Sequence, residues 1–155
     1  MKKALVLSAL VLMFGFAPVV SAQTVDDAIS LTRSVIQTER QAIVAANLGL
    51  SETESAVFWP LYREYRSAVE QAIDTRVGML KRFSESYETL TDDEATSLLD
   101  DHLSYQKQIL KVRTSYAKKM NKVLAGKTVA RFFQIENKMD AIVNYELASE
   151  VPLMR

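Results

Sequence analysis

The sequence predicts an all-α protein, either an elongated four-helix bundle or a bent helical hairpin with long amphipathic helices. Apolar residues recur at spacings of three and four along most of the chain, which is the period of a helix and not of a strand. Two capping-box patterns, a Ser or Thr followed three residues later by Glu, mark helix starts. Short breaks separate four such amphipathic stretches.

The first 22 residues have the three-part pattern of a cleavable secretory signal peptide. Two lysines precede an apolar run that ends at Phe16, and small residues allow cleavage after Ala22. The run is short for a membrane anchor, and no later segment approaches the ~20 apolar residues that a membrane span needs. We therefore expect residues 1–22 to be removed. Residues 23–155 should then form a single helical domain in the periplasm, without stable membrane insertion.

The composition bounds the class of function. The 19 basic and 19 acidic residues balance, whereas a dedicated nucleic-acid binder would have a strongly basic face. The sequence contains no cysteine, so packing alone must stabilise the exported domain. A chain of this length is long enough to bury a core as one domain.

The first two helices are predicted at residues 25–48 and 51–88. Gly49 is a good left-handed residue for ending the first helix. Ser51 followed by Glu54 forms a capping box at the start of the second. The second helix carries the longest apolar stripe of the chain, so the rest of the sequence is expected to cover it.

Pro60 lies inside the second predicted helix. Proline removes the hydrogen bond to the carbonyl of Ala56, which bends or breaks a helix. The apolar stripe continues in phase from Phe58 through Leu61 and Tyr65, which favours a kink. A true break after Trp59 is the alternative, because proline biases its predecessor away from the helical region.

A third helix is predicted at residues 92–124. Thr91 and Glu94 repeat the capping box. The helix begins with acidic residues and ends with basic ones, an order that complements the helix dipole. The basic cluster that contains Lys118 and Lys119 is therefore either a solvated face or a binding patch.

A fourth helix is predicted at residues 128–149, and Pro152 ends it. The tail from Val151 to Met154 is apolar, so it either folds back on the bundle or is recognised by a partner. Two helices of about 35 residues are each ~50 Å long. They form either an elongated antiparallel bundle or an open hairpin that a second subunit completes, which leaves a homodimer as an expectation.

A weak internal repeat relates two helix starts. Shifting the chain by 74 residues places Leu50 on Leu124, Phe58 on Phe132 and Trp59 on Phe133. In both copies a leucine precedes a polar break, and a pair of aromatic residues follows in the new helix. Coincidence between two amphipathic helices is the competing explanation.

The signal peptide, the cysteine-free helical body and these two helix starts resemble the Spy/CpxP-like family of periplasmic stress proteins, which is marked by two Leu-Thr-x-x-Gln motifs. The first counterpart runs from Leu50 to Glu54, with Ser51 for threonine and Glu54 for glutamine. The second would fall at residues 124–128, where the motif is not kept. The resemblance implies a kinked four-helix hairpin, a cradle-shaped antiparallel dimer, and either ATP-independent chaperone action or restraint of a membrane stress sensor.

No catalytic constellation is present in the sequence, so an enzyme is not expected. A single histidine, His102, and no cysteine leave the usual zinc and copper sites without ligands. His102 is predicted in the seam of the third helix. Asp100 and Asp101 beside it leave a metal-responsive binder as a remaining alternative, and no cofactor is expected.

The aromatic residues exceed what a narrow helical seam holds, so they belong either to the core or to a groove that binds other polypeptides. The candidate residues for binding a client or partner are Phe58, Trp59, Tyr62, Tyr65, Phe132, Phe133, Lys118 and Lys119. The residues assigned to structural motifs are Leu50, Ser51, Glu54, Pro60, Thr91 and Glu94. The predicted function is a periplasmic, chaperone-like, polypeptide-binding stress protein that needs no ATP. The alternative is an accessory protein that docks on a membrane stress sensor.

Overall fold

The structure is a computed structural model that describes residues 38–154. The chain divides into two units, residues 1–40 and 41–155, and the description below concerns the second. The predicted signal peptide and the predicted start of the first helix lie outside the described residues. Within residues 38–154 all regular secondary structure is helical, which confirms the all-α class. No helix in this range combines the length and apolar character that crossing a bilayer requires.

Within residues 38–154, four helices follow one another with short connections. Residues 38–48 are helical and are called α1 here. The three long helices are α2 (Glu52–Ser86), α3 (Asp92–Met120) and α4 (Gly126–Glu150). The fold is therefore a helical bundle whose three long members span 35, 29 and 25 residues.

The predicted local signals at the first helix boundaries are confirmed. Gly49 follows α1 with a φ of 64°, the left-handed conformation that glycine adopts without a Cβ clash. Ser51 caps α2, and Glu54 completes the capping box by accepting from the Ser51 main-chain N–H at 3.0 Å. Pro60 lies within continuous helix, so the alternative of a break at this position is wrong.

The next boundaries are confirmed at the start of α3 and corrected at its end. Thr91 and Glu94 form the second capping box. The helix ends at Met120 and not at Leu124 as predicted. The main-chain N–H of Leu124 donates to the Met120 carbonyl at 2.9 Å, closing a turn that buries the Leu124 side chain. The helical spacing of apolar residues continues through this turn, so the sequence pattern placed the end of the helix too late.

α2 and α3 form an antiparallel hairpin. Lys119, late in α3, pairs with Glu64, early in α2, at 3.3 Å. Arg82, late in α2, pairs with Asp101, early in α3. An ion pair between the two helices thus lies toward each end of the hairpin.

α4 lies against this hairpin and runs parallel to α2. Arg66 and Arg76 of α2 donate to Glu136 and Asn144 of α4 at 3.1 and 2.8 Å. At the start of α4, the Arg131 guanidinium donates to a main-chain carbonyl of α1 at 2.8 Å. The end where α2 and α4 begin is called the closed end below, and the end where α2 and α4 finish is called the open end.

The closed end contains most of the core. An aromatic cluster from α2 and α4 fills it, and residues of α1, α3 and the turn before α4 cover the cluster. The buried residues at this end are Val44, Leu48, Phe58, Tyr62, Tyr65, Met120, Leu124, Val129 and Phe132. Phe58 and Phe132 meet edge to face with ring centroids 5.3 Å apart, a favoured aromatic geometry.

The predicted 74-residue repeat coincides with two equivalent helix starts. Ser51 and Ala125 are the N-caps of α2 and α4, and both follow a leucine. Phe58 and Phe132 occupy the same position relative to these caps and contact each other. Only the first copy is capped by a side chain, since Ala125 has no hydroxyl to offer.

A charged layer crosses the bundle next to the aromatic cluster. Glu136 is buried and accepts from Arg66 at 3.1 Å and from the Tyr65 hydroxyl at 3.3 Å. One turn further along α4, Asp140 pairs with Arg113 of α3. Burial and the nearby Glu136 carboxylate raise the pKa of Tyr65. These pairs fix the register of α4 against both other long helices.

Candidate polypeptide-binding surface

Most of the aromatic residues predicted to bind a client lie in the core. Phe58, Tyr62, Tyr65 and Phe132 are buried, and their rings contact one another or a neighbouring ring. In this conformation none of the four presents a free face to a second polypeptide. They are the core residues of the closed end instead.

The other predicted residues lie at the border or on the surface. Trp59 and Phe133 are half-buried at the edge of the aromatic cluster. Lys118 and Lys119 are exposed. The Lys119 ammonium lies 4.3 Å from the centre of the Tyr116 ring and donates to Glu64, and this hydrogen bond raises the pKa of Lys119. Lys119 therefore has partners within the chain.

An apolar groove lies at the open end, between α2, α3 and the tail. It has a volume of about 520 Å³, within the range of ligand-binding clefts. The apolar residues of the hairpin that line it are Met79, Leu80 and Phe83 of α2 and Leu98 and Leu99 of α3. We call it the hairpin-end groove. Its lining contains no Asp, Glu, Lys or Arg side chain, so it suits an uncharged apolar ligand.

The tail lies along the hairpin-end groove. Residues 151–154 line it, and the Tyr87 hydroxyl donates to the main-chain carbonyl of Leu153 at 3.2 Å. The prediction that the tail folds back on the bundle is confirmed. The sequence provided the apolar tail but gave no signal for the surface on which it lies.

A row of leucines continues this apolar surface along α3. Leu99, Leu103 and Leu110 are 56, 43 and 65% exposed. Their spacing places them on one face of the helix, and Leu99 also lines the hairpin-end groove. We call these three residues the leucine stripe. The exposed residues Lys107, Lys111 and Lys118 follow the adjacent edge of α3.

The leucine stripe was missing from the predicted site, although the sequence contains a signal for it. On one face of α3, Leu98 is buried and Ile109 and Val112 are half-buried. Leu103 and Leu110 fall on a second face of the same helix. A helix with apolar residues on two faces needs two partners, and on the second face Leu103 and Leu110 are 43 and 65% exposed.

His102 has an ordinary structural environment. It is half-buried beside the hairpin-end groove, and its Nε2 lies 3.0 Å from the Gln106 side-chain nitrogen. Among residues 38–154, no three His, Cys, Asp or Glu side chains form a group able to hold a metal ion. The metal-responsive alternative thus gains no site in this part of the chain.

Comparison with known proteins adds no relative. The chain matches no protein-family model, no curated protein and no solved structure. The resemblance to the Spy/CpxP-like family stays a prediction that rests on the residues quoted above.

Proposed function

We propose that this protein binds unfolded or extended polypeptides in the bacterial envelope as a chaperone-like factor, without ATP or another cofactor. The observation that carries the proposal is the apolar surface of the hairpin-end groove together with the exposed leucine stripe, which share Leu99. Large exposed apolar patches are uncommon on monomeric proteins and mark sites of interaction.

The chemistry of this surface suits clients of varied sequence. Leucine side chains gain from burying any apolar side chain, because the hydrophobic effect is not directional. The lysines along the edge of the stripe have flexible stems and compact charges, so they can follow acidic groups on different clients. An unfolded chain exposes both kinds of group. The described surface therefore fits unfolded polypeptides better than one folded partner of fixed shape.

The direct test is suppression of aggregation of a chemically denatured model protein by residues 23–155. The wild-type chain should suppress aggregation at stoichiometric amounts. The double variant Leu103→Asp/Leu110→Asp should lose most of this effect, because two charges would face the apolar side chains of the client. Ile142→Asp is the matched control, since Ile142 is 64% exposed on α4 and lies outside this surface.

Three results would contradict the proposal: no suppression by the wild-type chain, equal suppression by the double variant, or equal loss in the control. Sedimentation of each variant at the assay concentration shows whether the stripe is instead covered by a second copy. Saturable binding of one folded envelope receptor, without suppression of aggregation, would favour the sensor-docking alternative.

A further inference from the structure

The tail already lies on the bundle as an extended apolar peptide. Val151 has an extended backbone, with φ −88° and ψ 115°, the conformation that a following proline favours. Beyond it, the Leu153 carbonyl accepts from the Tyr87 hydroxyl at 3.2 Å. This hydrogen bond is made to the main chain, so it is available to an extended peptide of any sequence.

The tail occupies the hairpin-end groove only partly. The Leu153 side chain is 89% exposed and the Met154 side chain 48% exposed, so little apolar area holds the tail in place. The volume of about 520 Å³ remains open beside it. A peptide with bulkier apolar side chains would bury more surface in the same groove than the tail does.

We propose that the hairpin-end groove binds one extended, uncharged, apolar segment of a polypeptide, and that residues 151–154 are an intramolecular occupant which that segment displaces. The inference rests on the proposed function. It specifies the kind of client segment that is bound and proposes that the tail regulates access to the groove. It differs from binding along the leucine stripe, which involves no part of the tail.

The lining explains why the segment is apolar and why its sequence can vary. Met79 lines the groove, and its unbranched thioether side chain adapts to partners of different shape. Leu80, Phe83 and Leu98 also line the groove and carry no charge. A charged side chain in the groove would lose its hydration without gaining a partner there.

The experiment measures binding of a fluorescent peptide by anisotropy. The probe copies residues 151–154, Val-Pro-Leu-Met, with blocked ends, and a matched peptide carries serine in place of valine, leucine and methionine. A chain that ends after Glu150 should bind the probe roughly tenfold more tightly than the full chain, because a tethered occupant competes at high effective concentration. The serine peptide should bind neither chain.

Two substitutions locate the site. In the shortened chain, Leu99→Asp should abolish binding of the probe, since Leu99 lines the groove. Ile142→Asp should leave binding unchanged, since Ile142 is 64% exposed on α4 and lies outside the groove. Met154→Ser in the full chain loosens the tail without shortening the chain, and it should also raise affinity for the probe.

Equal affinity of the full and shortened chains would overturn the inference, as would equal effects of the two aspartate variants. If the shortened chain does not show the helical circular dichroism of the full chain, Met154→Ser in the full chain tests the inference. An affinity for the probe equal to that of the wild-type chain would then overturn it. Retained suppression of aggregation in these cases would leave the proposed function in place. Loss of both activities would remove the two proposals together.

Discussion

The closed and open ends of the bundle are made from similar residues but have different surfaces. At the closed end, Phe58 and Phe132 are completely buried. At the open end, Phe83 is buried, whereas Leu99 beside it is more than half exposed. Both ends lie on the same long helices, so helix propensity and amphipathicity do not account for the difference.

The difference lies in how many segments cover each end. At the closed end, Val44 and Leu48 of α1 and Leu124 of the turn before α4 join the core. At the open end, α4 has finished, and of the described residues outside the hairpin only 151–154 line the groove. An apolar side chain is buried only where a further segment covers it, so the open end keeps apolar surface available for a ligand.

The test with the largest expected effect on stability removes one phenyl ring at each end. Phe132→Ala should lower the free energy of unfolding by about 3–5 kcal/mol, since the surrounding rings cannot collapse into the space. Phe83→Ala should cost less, about 2 kcal/mol, because its site already borders an open groove. Urea unfolding followed by circular dichroism measures both values. Equal losses would show that the two ends are packed equally well.

The second test compares ion pairs at the two ends. Glu136→Gln should cost about 3 kcal/mol, because it leaves the buried Arg66 guanidinium without a compensating charge. Arg82→Gln breaks the exposed pair with Asp101 and should cost less than about 1 kcal/mol. The same urea titrations apply. A larger loss for Arg82→Gln would mean that the open end, and not the charged layer, holds the helices in register.

The local signals in the sequence were sufficient for most of the helix boundaries. Each of these signals, the capping boxes at Ser51 and Thr91 and the glycine at position 49, involves residues within one helical turn. A short sequence pattern therefore contains all the residues that determine the helix boundary. The end of α3 was misplaced because the turn after Met120 buries Leu124, and its apolar residues mimic a continuing helical stripe.

The site depended on information that is not local. The sequence shows that aromatic residues are abundant, but it does not show that α4 runs parallel to α2 and brings Phe132 onto Phe58. Most of the aromatic residues predicted to bind a client therefore lie in the core. The leucine stripe had a sequence signal in the second apolar face of α3, but its exposure depends on which segments pack against that face, and no local pattern encodes this.

The third test uses the pH dependence of the closed end. Burial raises the pKa of Tyr65 above its ordinary value of 10.0, so the folded state favours the neutral hydroxyl. Its contribution to stability is complete below pH 10 and declines as the pH rises beyond it, by at most about 1.4 kcal/mol for each pH unit. Tyr65→Phe removes this group. The stability advantage of the wild type should therefore shrink between pH 9 and 11, and a constant difference across this range would contradict the assignment.

The smallest effect concerns the two equivalent helix starts at the closed end. α2 has a side-chain cap at Ser51, whereas α4 begins after Ala125 without one. Ser51→Ala should therefore cost about 1 kcal/mol, and Ala125→Ser should gain up to about 1 kcal/mol, because a hydroxyl can accept from an N–H of the first turn. The gain should be smaller than the loss, since position 128, where a capping box needs Glu or Gln, is Thr128. Thermal melts of the two variants beside Thr91→Ala, the equivalent change at the open end, measure the three caps on one scale. A loss on introducing the serine would show that the start of α4 is fixed by the burial of Leu124 and Val129 and not by its first turn.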